Sequence, residues 1–194
     1  MRFLELQRLI LADLFRYDGA KGMSGFVLAF FGEPGFRLTV LLRATRWLRV
    51  QPLTRWGCYH LCKLWLGRLS RRLGVFIDFT TDIGPGLYLP HPVGIVINRR
   101  CRIGANCNIA QHVTLGLKSR EPREGCPTLG DRVYVGPGAV IIGAITVGSD
   151  AAVGANAVVT KDVPDNAVMA GVPSRIISMR GSAGYINHCL PDAS

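Results

Sequence analysis

Seven apolar-Gly pairs recur through the second half of this chain: Ile83-Gly84, Ile103-Gly104, Leu115-Gly116, Leu129-Gly130, Val135-Gly136, Val147-Gly148 and Val153-Gly154. Leu89, Ile97, Ile109, Ile141 and Val159 fill the intervening steps with an aliphatic residue alone, giving twelve steps, most of them six residues apart. The spacing breaks twice, by two extra residues between Leu89 and Ile97 and by eight between Leu115 and Leu129. A short fixed period marks a solenoid, in which each unit covers the apolar surface of its neighbour. Six residues are too few for a helical repeat, but they suit a flat strand followed by a tight corner, which a small residue eases. Three such rungs close a triangular coil, so the twelve steps predict about four coils. The breaks predict a small bulge near Ile95 and an excursion loop over 117–128.

Two other arrangements compete with the solenoid. A Val/Gly-rich β-sandwich also strings short strands between turns, but its strands are not spaced so regularly. The uncharged run 133–149 is long enough to suggest a membrane span, yet Gly136, Gly138, Gly143 and Gly148 fall on the hexad pattern. The solenoid accounts for both features.

Charge divides the chain of 194 residues into unlike parts. Residues 1–76 hold 13 Lys/Arg against 4 Asp/Glu, whereas residues 77–194 hold 10 against 9, so nearly the whole net charge of +10 precedes the solenoid. Between Arg37 and Arg72 there are nine basic residues and no acid. This front region reads as helical. Cys58, Leu61, Cys62, Trp65, Leu66, Leu69 and Leu73 follow helical spacing, with Arg55, Lys63, Arg68, Arg71 and Arg72 between them. Residues 36–50 behave similarly, Pro52 separates the two, and Trp47, Trp56 and Tyr59 add aromatic weight. A basic, Trp-bearing amphipathic helix is the pattern of a segment lying on an anionic membrane surface; the competing use of its apolar stripe is packing on the solenoid or on another subunit. No recognised nucleic-acid motif accompanies the charge, so a nucleic-acid partner is not expected. Residues 1–13 are amphipathic rather than signal-like, which predicts a cytoplasmic protein with at most peripheral contact with the membrane. The organisation expected is a basic helical region over 1–76, a solenoid over 77–180 and a tail over 181–194.

The six cysteines form no CxxC pair and no Cys/His set with zinc spacing, so reduced thiols and no metal are expected. Two histidines interrupt the solenoid: His91 in Leu89-Pro90-His91-Pro92-Val93-Gly94, and His112 in Ala110-Gln111-His112-Val113-Thr114. An imidazole titrates near neutrality, so either can accept a proton from a hydroxyl nucleophile.

At these residues the chain resembles a known family. Residues 82–180 are similar to the left-handed β-helix, hexapeptide-repeat acyltransferases, and the stretch Val159-Thr160-Lys161-Asp162-Val163-Pro164 through Ala170-Gly171-Val172-Pro173-Ser174-Arg175-Ile176 matches their C-terminal signature. Within that group, residues 89–97 and Gln111-His112-Val113-Thr114-Leu115-Gly116 resemble serine O-acetyltransferases. The resemblance implies direct acetyl transfer from acetyl-CoA to a hydroxyl in a ternary complex, without an acyl-enzyme. It implies His91 as general base in a His-x-x-Gly context, with His112 in reserve. It implies a CoA path along Gly136, Pro137 and Gly138, then Ala155 and Thr160, with Lys161 and Arg175 as phosphate partners. A homotrimer is the family's habit, further pairing of trimers being open. Cys126 as an acyl-carrying nucleophile is disfavoured, because the family transfers directly.

The chain also departs from the serine O-acetyltransferase pattern. Pro90 stands where that group has an acid, Gly125-Cys126 where it has the Arg-His pair that grips the acceptor carboxylate, and Phe76 where an Asp orients the catalytic histidine. Asp78 and Asp82 are the candidates to replace that Asp. Losing a charged, hydrogen-bonded clamp costs about 2 to 5 kcal/mol, which predicts a neutral acceptor. Together with the Cys-Pro of the loop and the run Gly94-Ile95-Val96-Ile97-Asn98, this resembles a polysaccharide-biosynthesis branch. The expected reaction is O-acetylation of a sugar in a surface polysaccharide or its precursor, with serine O-acetylation as the alternative and a non-catalytic scaffold as the third reading.

Overall fold

The computed structural model describes residues 2–52 and 57–189. Arg55, Trp56 and the end of the tail, 190–194, which entered the reading above, lie outside the described residues. Four helices come first: α1 (Phe3–Phe15), α2 (Gly22–Gly32), α3 (Pro34–Arg49) and α4 (Cys58–Leu73). Pro34 starts α3, where a missing N–H costs nothing, and Arg46 and Arg49 lie in its last turn against the negative end of the helix dipole. Gly74, at φ 64°, takes the left-handed conformation that ends α4, its N–H returning to Arg71 O and Ser70 O.

The rest of the fold is the expected left-handed β-helix, with three parallel ladders. The first sheet stacks β1 (Phe76–Ile77), β3 (Val96–Ile97), β6 (Thr114–Gly116), β9 (Val140–Ile142) and β12 (Val158–Val159). The second stacks β2 (Asp82–Ile83), β4 (Arg102–Ile103), β7 (Thr128–Leu129) and β10 (Thr146–Val147). The third stacks β5 (Asn108–Ile109), β8 (Tyr134–Val135), β11 (Ala152–Val153) and β13 (Val168–Ala170), with β14 (Arg175–Ser178) added antiparallel.

The hexad residues form the interior columns. Ile97, Leu115, Ile141 and Val159 are in register in the first sheet, Ile83, Ile103, Leu129 and Val147 in the second, and Ile109, Val135 and Val153 in the third. Ile77 extends the first column below and Met169 extends the third above, so the first sheet is five strands deep. Side chains alternate across a strand, and one buried aliphatic residue per two-residue rung fills a dry interior. The run 133–149 forms such rungs. Among the described residues no single helix is long and apolar enough to cross a membrane; α2 and α3 pass that test together, across a bend of 106°.

The helices are keyed into the first coil. Asp13, fully buried, accepts two hydrogen bonds from Arg43 at 3.1 Å and one from Leu87 N at 2.9 Å, while Arg43 also donates to Ile83 O and Gly84 O at 2.6 Å each. Gly35 lies flat on Leu89, where a Cβ would collide with the Leu89 carbonyl oxygen and come within 2.6 Å of the Tyr17 hydroxyl. Helices α1 and α3 thus hold the segment that leads into His91.

Candidate active site

The corner that joins the third sheet to the first carries His91. It comprises residues 90–95 in the first coil, 110–113 in the next, then 136–139 and 154–157. Successive coils are bonded here through His112 N to Val93 O at 2.8 Å, Gly138 N to Gln111 O at 2.9 Å and Asn156 N to Pro137 O at 2.8 Å.

One backbone position of this corner is left-handed in every coil: Gly94 (φ 65°), His112 (φ 58°), Gly138 (φ 69°) and Asn156 (φ 56°). Glycine takes that conformation freely, and His and Asn are among the residues that tolerate it. Glycine also leaves room. A Cβ at Gly94 would collide with His112 Nδ1, and one at Gly138 with Asn156 Oδ1, so each polar side chain lies over the glycine of the coil below. His91 is exposed three residues before Gly94, and His112 is exposed on the next coil of the same edge.

The other predicted residues divide between edges. Gly136, Pro137, Gly138 and Ala155 continue the His91 corner upward, and Arg175 opens β14 just past its last turn. Thr160 and Lys161 are exposed at the next corner, between the first and second sheets. Asp78 also lies at that corner, where its carboxylate accepts from Thr80 N at 2.8 Å and Thr80 Oγ1 at 2.5 Å, and Asp82 begins β2. Within one chain, Asp78 and Asp82 therefore lie at a different corner from His91. Among the described residues no three His, Cys, Asp or Glu side chains form a set that could hold a metal ion.

The excursion loop leaves the same first-to-second corner. It is closed by the reciprocal pair Lys118–Gly125, at 2.9 Å each way, and tied down by Arg123 to Asp162 at 2.8 Å. Asp162 has its carboxyl held below the usual 3.8 by the Thr146 N–H first and Arg123 second. Cys126, half-buried, ends this loop against the core and lies beside Cys101, whose thiol burial pushes up to about 12. Within one chain, Cys126 thus lies at a different corner from the histidines.

Sequence reasoning missed the polar groups that the helices bring to Tyr88 and Leu89, just before His91. Tyr88, two residues before Pro90, packs on Tyr17 with ring centroids 4.8 Å apart and lies under Arg16. Burial raises its hydroxyl pKa, with further contributions from the charges of Asp18 and Glu33. Asp18 and Glu33 flank α2, far from His91 in sequence, so no local motif announces them.

Residues 126–161 match the family described as bacterial transferase hexapeptide (six repeats). The serine acetyltransferase of Synechococcus elongatus is 36% identical over 149 residues, covering 76% of this chain and 59% of that protein. That of Helicobacter pylori is 40% identical over 114 residues, covering 58% of this chain and 67% of that protein. The crystal structure of serine acetyltransferase from Brucella abortus superposes with a TM-score of 0.74 at 29% identity, covering 92% of this chain and 71% of that one. The chain thus spans about three-fifths of the length of the Synechococcus protein. These likenesses take in the helices as well as the solenoid, and they correct two expectations, the sugar acceptor and the polysaccharide-biosynthesis branch. Pro90, Gly125 and Cys126 show that charges are missing at three aligned positions, which does not by itself identify the acceptor. By sequence over 114 residues and by fold over nearly the whole chain, this protein belongs to the serine acetyltransferase family.

Proposed function

We propose that this chain transfers the acetyl group of acetyl-CoA to the hydroxyl of serine. What supports the reading is the likeness to serine acetyltransferases across helices and solenoid, with an exposed histidine at the corner where the coils present left-handed backbone and glycine. His91 takes the hydroxyl proton as the serine oxygen attacks the thioester carbonyl. The tetrahedral intermediate then collapses with loss of the CoA thiolate, and the imidazolium returns the proton to sulfur. Direct transfer needs no enzyme nucleophile, so Cys126 has no step.

His112, over Gly94, lines the acceptor side. Pantetheine runs along Gly136, Pro137, Gly138 and Ala155, and the phosphates reach Arg175, Lys161 and Thr160. A trimer places the CoA path of one solenoid against its neighbour, which brings the separate corners of His91 and Lys161 into one site.

Release of CoA thiol from acetyl-CoA tests this directly. Release that requires free serine supports the reading; hydrolysis unaffected by serine, or no release at all, rules it out.

A further inference from the structure

Helix α2 presents an apolar face that nothing among the described residues covers. Its sequence, GMSGFVLAFFG, has no charged side chain, and among the described residues Ala29 is its buried one. Phe26 and Phe30 turn inward against the cluster of Leu14, Tyr17, Phe36 and Val40. On the other side Met23, Val27 and Phe31 form a stripe at four-residue intervals with Leu28 beside it, and they are 78%, 45%, 72% and 74% exposed, in that order. Single exposed apolar residues are ordinary, but a continuous stripe marks a contact surface.

The stripe continues onto α4. Trp65, about half exposed, packs edge-on against Phe30 with centroids 5.7 Å apart, and Leu61 and Leu64 are exposed next to it. Lys63, Arg68, Arg71 and Arg72 stand exposed on the same helix. Lys63 and Arg71 border, with His60, Leu64 and Gly67, an open depression of about 370 Å³. The acids nearest α2 are Asp18 and Glu33 at its two ends, and α4 has none. Several other cations of this region are used internally: Arg43 on Asp13, Arg37 on the Phe30 and Phe31 carbonyls, Arg46 on the Thr81 carbonyl. The α4 cations face outward beside the apolar stripe.

We propose that this face of α2 and α4 seats the protein on an anionic lipid bilayer, a property independent of the acetyl transfer proposed above. The apolar stripe enters the acyl boundary while Lys63, Arg68, Arg71 and Arg72 meet the headgroups. With 11 residues α2 is far short of the roughly 20 needed to span, so it lies in the plane of the interface. Charge selects this occupant over a second copy of the chain, because pairing two such faces would bring the cations of α4 towards their own duplicates. A lipid surface with phosphate headgroups answers both the cations and the apolar stripe.

The test is co-sedimentation of the full chain with vesicles of three parts phosphatidylcholine to one part phosphatidylglycerol, and with vesicles of phosphatidylcholine alone. Binding is expected to the anionic vesicles, weakened by half-molar salt. Leu28→Ser with Phe31→Ser should reduce it by at least about tenfold, with circular dichroism and sedimentation velocity unchanged. Arg68→Glu with Arg71→Glu, which leaves the apolar stripe intact, should lower it on anionic vesicles. Failure of the wild-type chain to bind anionic vesicles overturns the proposal. So does a Leu28/Phe31 variant that loses an oligomer yet binds vesicles as before, which would make the face a contact between copies.

Discussion

Replacing Asp13 with alanine tests how the helices hold the entrance to the site. The carboxylate is fully buried and accepts three hydrogen bonds, two from Arg43 and one from Leu87 N. Its removal leaves a guanidinium, on a residue 6% exposed, with the carbonyls of Ile83 and Gly84 but no counter-ion, and it orphans the Leu87 N–H. Breaking a buried pair from one side costs about 3 to 5 kcal/mol, chiefly from stranding the remaining charge. For a chain of this size each kcal/mol lowers the melting temperature by about 2 to 4 °C, so Asp13→Ala should melt about 6 to 20 °C below wild type. Adding Arg43→Met removes the stranded charge and should restore more than half of the loss. Differential scanning calorimetry reads both. A loss below about 1 kcal/mol, the range of a solvated surface pair, would refute the buried clamp.

Other outcomes follow from the same geometry. Gly94→Ala forces a Cβ into His112 at φ 65°, so it should cost about 1 to 2 kcal/mol from the backbone and lower turnover further by displacing the imidazole. Pro90→Asp should lower the KM for serine by adding a carboxylate next to His91, with the KM for acetyl-CoA unmoved. Burial pushes the thiols of Cys101 and Cys107 from 9.0 up to about 12, so the folded chain keeps protons that the unfolded chain releases. Their stabilising contribution is therefore complete below pH 9.0 and declines as pH rises toward about 12, and the urea midpoint should fall over that window less steeply in a Cys101→Ser, Cys107→Ser variant.

The solenoid was legible because its signal is local: one aliphatic residue per rung sets both the column and the register, and the breaks locate the turn at His91 and the excursion loop. Helices α3 and α4 were legible for the same reason, through their apolar spacing. Helix α2 escaped because an apolar run with glycine at both ends has no 3.6-residue contrast to read. Met169 escaped as a rung because it stands ten residues after Val159, off the six-residue spacing. The Asp13–Arg43 pair joins residues 30 apart, and the stacking of His112 on Gly94 depends on a backbone angle, so neither has a sequence motif. The acceptor was misread because charges absent at Pro90, Gly125 and Cys126 do not report which charges the rest of the folded chain brings to the site.

Serine-dependent CoA release by the wild type, His91→Ala and His112→Ala, at saturating acetyl-CoA, tests the central claim most directly. If His91 is the general base, its alanine variant should lose about 100- to 10,000-fold in kcat, with melting temperature and KM for acetyl-CoA near wild type and a smaller loss for His112→Ala. Wild-type turnover with serine that survives in His91→Ala would contradict the account.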